Sequence, residues 1–468
     1  MQYAKVNEKI IIRLKQIVGS ANVLTDPEAL ENYSHDETPL YSSLPEAVVK
    51  CVSTAQVSQV MRMAHENRIP VTPRGGGTCL SAGAVPAYGG IVLSLEKMTK
   101  ILEIDKDNMM AVVETGIITE ELGKELAKHG LFFPPDPVSI DSCTIGGNIA
   151  ECAGGPRAMK YGVTRNYVTG IVAVLPDGSV VKMGGKLLKN VTGYDLINLI
   201  VGSEGTLAIV TETTIRVLHL PKLVVDLLVP FVCVKDATDF TIELLQMEIM
   251  PAAIEFMDGD VVRIVSKYLK RKIPYMEANA HTIVEIEGDE KDRIRAIYER
   301  IGDLALKNGA LDILVAEGAR DRDKIWEPRK KIGDTLRDLT QNVTREDLVV
   351  PKKQIPQLIS KLKNCAKEHG AAAYTFGHLG DGNIHTDVSI AKSSTLNPSD
   401  IDKMRREMYE ITISLGGTIT AEHGVGLSKI PYLKIALDDT QIELMRRIKG
   451  VFDPENILNP GKIFPDQS

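Results

Sequence analysis

The sequence predicts an α+β chain of two domains, on three observations. Residues 44–72 read strand, helix, strand; glycine and other small residues dominate 138–217; and after Pro221 strands alternate with charged amphipathic helices as far as about residue 415. At 468 residues the chain is longer than one ordinary core organises. The composition changes place a first domain at 1–220, a second at 221–420, and a C-terminal segment at 421–468 that returns to the first.

The elements follow in order. MQYAKVNEKIIIRLKQIVG carries charges around a short Ile run, so it reads as an amphipathic helix and is too polar for a signal peptide. In LPEAVVKCVSTAQVSQVMRMAHENRIPVT the run Ala47 to Cys51 is a strand. A helix begins at the Ser53-Thr54 cap, and Pro70 to Thr72 is the next strand. GIVLSLEKM, ILEID and MAVVETG are strands between polar breaks. GIVAVLPDGSVVKMG is a hairpin with a PDG turn, and GTLAIVTETTIRVL is a further strand. In the second domain, strands such as VVDLLVPF and HTIVEIEG alternate with helices such as EKDRIRAIYERIGDLALKNG. The tail is mostly helical and closes on FDPENILNPGKIF, whose prolines and asparagines suit turns that pin the end back.

Composition narrows the function. Hydrophobic residues at 44% and charged residues at 25% describe an ordinary soluble protein, expected in the cytoplasm; no run has the apolar length of a membrane span. A net charge of −7 argues against general nucleic-acid binding. The six cysteines are scattered without a C-x-x-C, so neither a disulfide framework nor an iron–sulfur cluster within the chain is expected.

Two kinds of motif carry chemistry. PRGGGTCLSAG, residues 73–83, puts three glycines after a strand, which lets backbone N–H groups close on an anion, with Thr78 and Ser81 as hydroxyl donors. It is neither G-x-G-x-x-G nor a P-loop, and read alone it is equally an ordinary glycine-rich turn. Residues 134–162 and 189–212 repeat the small-residue character, and three such stretches in one domain fit an extended ligand of flavin-dinucleotide size. The second motif is TFGHLGDGNIH, where a turn through the glycines brings His378 and His385 to one side. With Glu422 from AEHGVGLSK they make a two-His, one-carboxylate set. The alternative is that each is merely hydrogen-bonded or solvated.

PRGGGT, IGGN with AGG, GSEGTL, HLGDGNIH, EHGVG and NPGK occur in the order and approximate spacing of the FAD-linked 2-hydroxyacid dehydrogenases, and the chain resembles that family over residues 40–465. The family is the branch of the vanillyl-alcohol oxidase type flavoproteins that holds D-lactate dehydrogenase, the glycolate oxidase catalytic subunit and D-2-hydroxyglutarate dehydrogenase. The resemblance implies a two-part FAD-binding domain, an α+β substrate cap and a C-terminal helical segment. It implies that Pro73, Arg74, Gly75, Gly76, Gly77, Thr78, Ser81 and Gly83 hold FAD, with Arg74 to Thr78 on the pyrophosphate. Pro135, Asp136, Ser142, Thr144, Gly146, Gly147, Asn148, Gly154, Gly155, Gly205 and Ile209 would line the rest. Two departures stand out. Cys152-Ala153-Gly154-Gly155 replaces the NAGG of many relatives, and Thr78 ends the glycine run in place of a histidine, so FAD is expected to be non-covalent.

For the reaction, the resemblance implies that His378, His385 and Glu422 bind a divalent metal (Zn, Fe or Mn) and that His423 is the base. It places a carboxylate-binding arginine at Arg329 and a second basic contact at Arg345. Asn383, inside the histidine pair, is an available hydrogen-bond donor. In RDRDKIWEPRKK only Arg329 is expected to turn inward. The implied activity is oxidation of a small D-2-hydroxy acid, D-lactate first, with glycolate and D-2-hydroxyglutarate as alternatives. With no cluster cysteines and no nicotinamide fingerprint, electrons are expected to leave to a partner, an electron-transferring flavoprotein or an iron–sulfur subunit. In length and plan the chain is similar to the catalytic subunit of electron-bifurcating lactate dehydrogenase. A UDP-sugar reductase of the same flavin fold, or a non-enzymatic FAD-binding subunit, ranks below because neither is expected to carry the histidine pair.

Overall fold

The computed structural model describes residues 3–464. The chain forms two compact units. The first takes the described residues of Met1–Gly154, Gly162–Leu220 and Glu422–Ser468; the second takes Gly155–Tyr161 and Pro221–Ala421.

The first unit holds two main sheets. One has four strands, β1 (Val23–Leu24), β2 (Ala47–Lys50), β3 (Val71–Arg74) and β4 (Ile91–Ser94), in the order β1-β2-β4-β3. β2 and β3 both run parallel to β4, and the helix Thr54–Asn67 crosses between them. That helix starts where Ser53 accepts from the N–H of Gln56 and ends on Arg68 in the left-handed region (φ 53°). Its buried Val57, Val60, Met61 and Ala64 meet Ile10, Leu14 and Val18 of the first helix, Glu8–Val18, in one core. Each of the Val, Met, Ile and Leu side chains among them contributes about 1.5–3 kcal/mol of burial.

The second sheet of this unit takes β5 (Ile101–Asp105), β6 (Met110–Glu114), β8 (Val168–Val174), β9 (Val180–Gly184) and β10 (Ile209–Arg216), after the short β7 (Leu131–Phe132), in the order β5-β6-β10-β8-β9. β8 and β9 are joined by the PDG turn, where Gly178 has φ +85°. A short β11 (Leu218–His219) pairs with β7. The C-terminal segment is fixed to this unit. Buried Lys449 donates to the carbonyls of Thr206 (2.8 Å) and Leu458 (2.9 Å), and Leu458 bridges Val71.

The second unit is built on one seven-stranded sheet. Its strands are β12 (Leu223–Phe231), β13 (Ala253–Asp258), β14 (Ala280–Gly288), β15 (Leu314–Ala316), β16 (Gln341–Val349), β17 (Ala372–His378) and β18 (Asn383–Ile390), in the order β15-β12-β14-β13-β17-β18-β16. Helices Gly259–Leu269, Ala319–Lys330 and Ile332–Leu339 supply Val261, Val265, Trp326, Ile332 and Leu336 to a core against Leu228, Ile283, Met257 and Phe376. Asp258 begins the first of them, accepting from Val261 N–H at 2.8 Å. Among the described residues no helix is long and apolar enough to cross a membrane.

Candidate functional site

In the first unit the glycine loop leaves β3 and lies against the segment 142–147. A Cβ on Gly75 would stand 2.2 Å from Thr144 Oγ1, and one on Gly76 would stand 2.2 Å from the carbonyl oxygen of Ser142. Only glycine allows backbone this close. Thr144 caps the helix Ile145–Glu151, accepting from Gly147 N–H at 3.2 Å. Gly205, with φ +66°, comes in beside Pro73, where a Cβ would meet the ring at 2.8 Å. Ser81 and Gly83 anchor the loop to the C-terminal segment: the Ser81 carbonyl accepts from Leu427 and Ser428, and Gly83 accepts from Asn459 Nδ2 at 3.1 Å.

Other predicted members of this set have different surroundings. The Arg74 guanidinium donates to the carbonyls of His35 (2.8 Å) and Asn32 (3.4 Å), so part of its donor capacity is used within the protein. Asn148 is buried and donates to Thr119 Oγ1 at 2.8 Å. Ile209 lies in the core around β2 and β4. Pro135 is buried and Asp136 half-buried after β7; Thr78 is half-buried. Gly154 closes the first unit's segment while Gly155 opens the second unit's, and Cys152 ends the helix in the left-handed region (φ 55°). Beside the loop, burial pushes the carboxyls of Glu151 and Glu204 up, although Glu204 accepts from the N–H groups of Val425 and Gly426. These glycine-rich segments, brought into close approach, fit a dinucleotide held through its phosphates.

In the second unit β17 and β18 form the histidine hairpin. His378 ends one strand and pairs with Asn383, which starts the other; Gly382 takes φ +93° in the turn. His385 stands opposite Phe376, so both histidines project from one face. Their Nε2 atoms are 3.4 Å apart. A tetrahedral ion about 2.0–2.1 Å from each nitrogen would hold them roughly 3.4 Å apart.

One buried carboxylate orients the His378 ring, and a second stands near His385. His378 Nδ1 donates to Glu255 Oε1 at 2.5 Å, and His385 Nδ1 is 3.5 Å from Asp347 Oδ1. A carboxylate on Nδ1 turns Nε2 outward as the ligand atom, the usual support of a metal-binding imidazole. Asp347 is fixed by Thr420 Oγ1 (2.9 Å) and by the N–H of Ala421 (2.8 Å). The next residues in the chain are Glu422 and His423, both half-buried in the first unit's C-terminal segment. Within the second unit, the paired imidazoles, with a carboxylate behind the Nδ1 of His378, fit ligation of a divalent ion.

Glu255 also holds Arg329, whose Nε donates to Oε2 at 2.8 Å. The Arg329 side chain is 5% exposed, its guanidinium lies over the Phe376 ring at 4.9 Å, and Nη2 is buried with no hydrogen-bond partner among the described residues. Burial raises the Glu255 carboxyl, but the charges of His378 and Arg329 outweigh it and hold it below the ordinary glutamate range. Arg345 pairs through Nε with buried Asp387 (3.1 Å). Both amide N–H groups of Asn383 are engaged, with Asp347 at 2.8 Å and the Leu348 carbonyl at 3.1 Å, so Asn383 steadies Asp347 and has no donor left for a substrate. Arg322 turns inward as well as Arg329, bridging Asp226 (2.8 Å) and Glu285 (3.2 Å), because residues seven apart share a helix face.

Glu255 and Asp347 escape the sequence reading. The available signal is an acid inside an otherwise apolar strand, AAIEFMD, and the acid two places after Arg345.

Comparisons with known proteins identify the family. Residues 45–184 match the family model "FAD binding domain", and residues 201–463 match "FAD linked oxidases, C-terminal domain". The chain belongs to the FAD-linked oxidases. It is 37% identical over 452 residues to glycolate oxidase subunit GlcD of Bacillus subtilis, covering 97% of this chain and 96% of that one. It is 36% identical to D-lactate dehydrogenase of Anaerostipes hadrus, covering 99% and 98%. Among solved structures it is similar to p-cresol methylhydroxylase, with a TM-score of 0.79 at 17% identity over 97% of this chain and 96% of that one. The fold is of the vanillyl-alcohol oxidase type, and the protein is an FAD-linked oxidoreductase.

Proposed function

We propose that the protein oxidises a small D-2-hydroxy acid, D-lactate first among them, to the 2-oxo acid. The observation that carries this reading is Arg329. A buried guanidinium with Nε fixed by Glu255 and Nη2 without a partner is a prepared site for a carboxylate, since a buried N–H left unpaired costs about 1–3 kcal/mol. Its position on the same glutamate as His378 ties carboxylate recognition to the histidine pair. Relatives named for D-lactate and glycolate support the substrate class.

Arg329 orients the acid by its carboxylate, and Arg345 adds positive charge. His378 and His385 present Nε2 outward, with Glu422 as the third ligand, and a divalent ion held there would lower the proton affinity of the substrate hydroxyl. His423 takes the hydroxyl proton. FAD, which the glycine loops would hold, would supply the acceptor for the C2 hydrogen and its electron pair. A partner protein, an electron-transferring flavoprotein or an iron–sulfur subunit, would take the two electrons on.

His423→Ala separates binding from chemistry. The variant should retain stoichiometric flavin and bind the acid while flavin reduction by substrate slows by roughly 10²–10⁴-fold. Reduction at the wild-type rate would remove His423 from the base role.

A further inference from the structure

Away from the histidine hairpin, a second group of metal-type donors lies where the helices Ile355–Glu368 and Pro398–Ser414 pack together in the second unit. Cys365 and His369 are four residues apart, so they face the same way from the end of the first helix. Glu407 faces them from the second. One ligand atom from each lies within 4.8 Å of the others, and His369 Nε2 is 3.3 Å from a Glu407 carboxylate oxygen.

The distances suit a small tetrahedral ion. At about 2.0–2.1 Å from nitrogen and oxygen, such an ion holds those two ligands about 3.4 Å apart, and a sulfur at about 2.3 Å stands roughly 3.6 Å from each.

We propose that Cys365, His369 and Glu407 bind one borderline-soft divalent cation, Zn²⁺ or Co²⁺, with water in the fourth position. The donor set selects the metal class. A thiolate with an imidazole favours zinc-like ions over Mg²⁺, Ca²⁺ or Mn²⁺, and thiolate plus carboxylate balance its two charges. Cys365 is only 2% exposed, which argues against an accessible reactive thiol as the function of this residue. The bound ion would reinforce a junction that already has the His369–Glu407 contact and a Cys365 Sγ contact to the Met404 carbonyl at 3.8 Å.

Cobalt titration of the FAD-loaded, metal-stripped full-length protein reads this site separately from the hairpin, because only a thiolate ligand gives a near-ultraviolet sulfur-to-cobalt charge-transfer band. The band should grow to one equivalent in the wild type and in His378→Ala, and be absent in Cys365→Ser. Glu407→Gln, at a half-exposed position that leaves the thiol in place, should keep the band with at least tenfold weaker apparent affinity. A wild-type titration without the band, or a band that survives Cys365→Ser, overturns the proposal and leaves the hydroxy-acid reading untouched.

Discussion

Two buried carboxylates on one sheet have opposite electrostatic fates. Glu255 on β13 and Asp226 on β12 are both fully buried, and burial raises both carboxyls. Around Glu255 the charges of His378 and Arg329 reverse the effect, so it stays an anion below its ordinary range. Beside Asp226 stands Glu285, paired across the strands, and Arg322 offsets only part of that repulsion; the Asp226 carboxyl is pushed up to about 6. A buried acid between an imidazole and a guanidinium is a fixed positioning anion, whereas one beside another acid is a cost the fold carries.

The sharpest way to break the Glu255 side is through the cation it holds. Arg329→Lys keeps the charge and loses the planar fork, so kcat/KM for the hydroxy acid should fall about 100-fold. Steady-state kinetics with an artificial electron acceptor measure this, and an unchanged kcat/KM would take carboxylate binding away from Arg329. A smaller effect is expected from Glu255→Gln, which releases the orientation of His378. Metal affinity should weaken about 10–100-fold, measured by competition with a chelator of known affinity. Equal affinity in the variant would mean that His378 needs no carboxylate behind it.

Asp226→Asn tests the other member. A carboxyl raised on folding from the ordinary aspartate value near 4 contributes stability that is fully present below pH ~4 and is lost as pH rises through about 6. The variant lacks that loss. Its unfolding free energy should therefore gain on the wild type between pH 4 and 7 by about 2 kcal/mol, read from denaturant unfolding at several pH values. Parallel pH profiles would mean that Asp226 is not perturbed by folding.

Local signals made much of the fold legible. The Ser53 cap, the PDG turn and the alternation after Pro221 each depend on neighbours in the chain, and the structure has the helix Thr54–Asn67, the β8–β9 hairpin and the second unit's sheet where they point. The histidine hairpin was legible for the same reason, since Gly382 and its neighbours carry the turn within the motif. What supports that hairpin was not. Glu255 is 123 residues from His378 and 74 from Arg329, and nothing in AAIEFMD says which side chains meet it. Asn383 looked like a free donor because Asp347, 36 residues away, is joined to it only by the pairing of β16 with β18. Gly155–Tyr161 joins the second unit with no change of composition to mark it; within that unit Arg157 reaches Glu285 at 3.0 Å.

The most direct test of the hydroxy-acid reading is the visible spectrum of the purified, metal-replete protein under anaerobic conditions before and after D-lactate. Bleaching of the oxidised-flavin band, with one 2-oxo acid formed per flavin, is the predicted result. A protein that carries flavin yet stays oxidised with D-lactate, glycolate and D-2-hydroxyglutarate would contradict it.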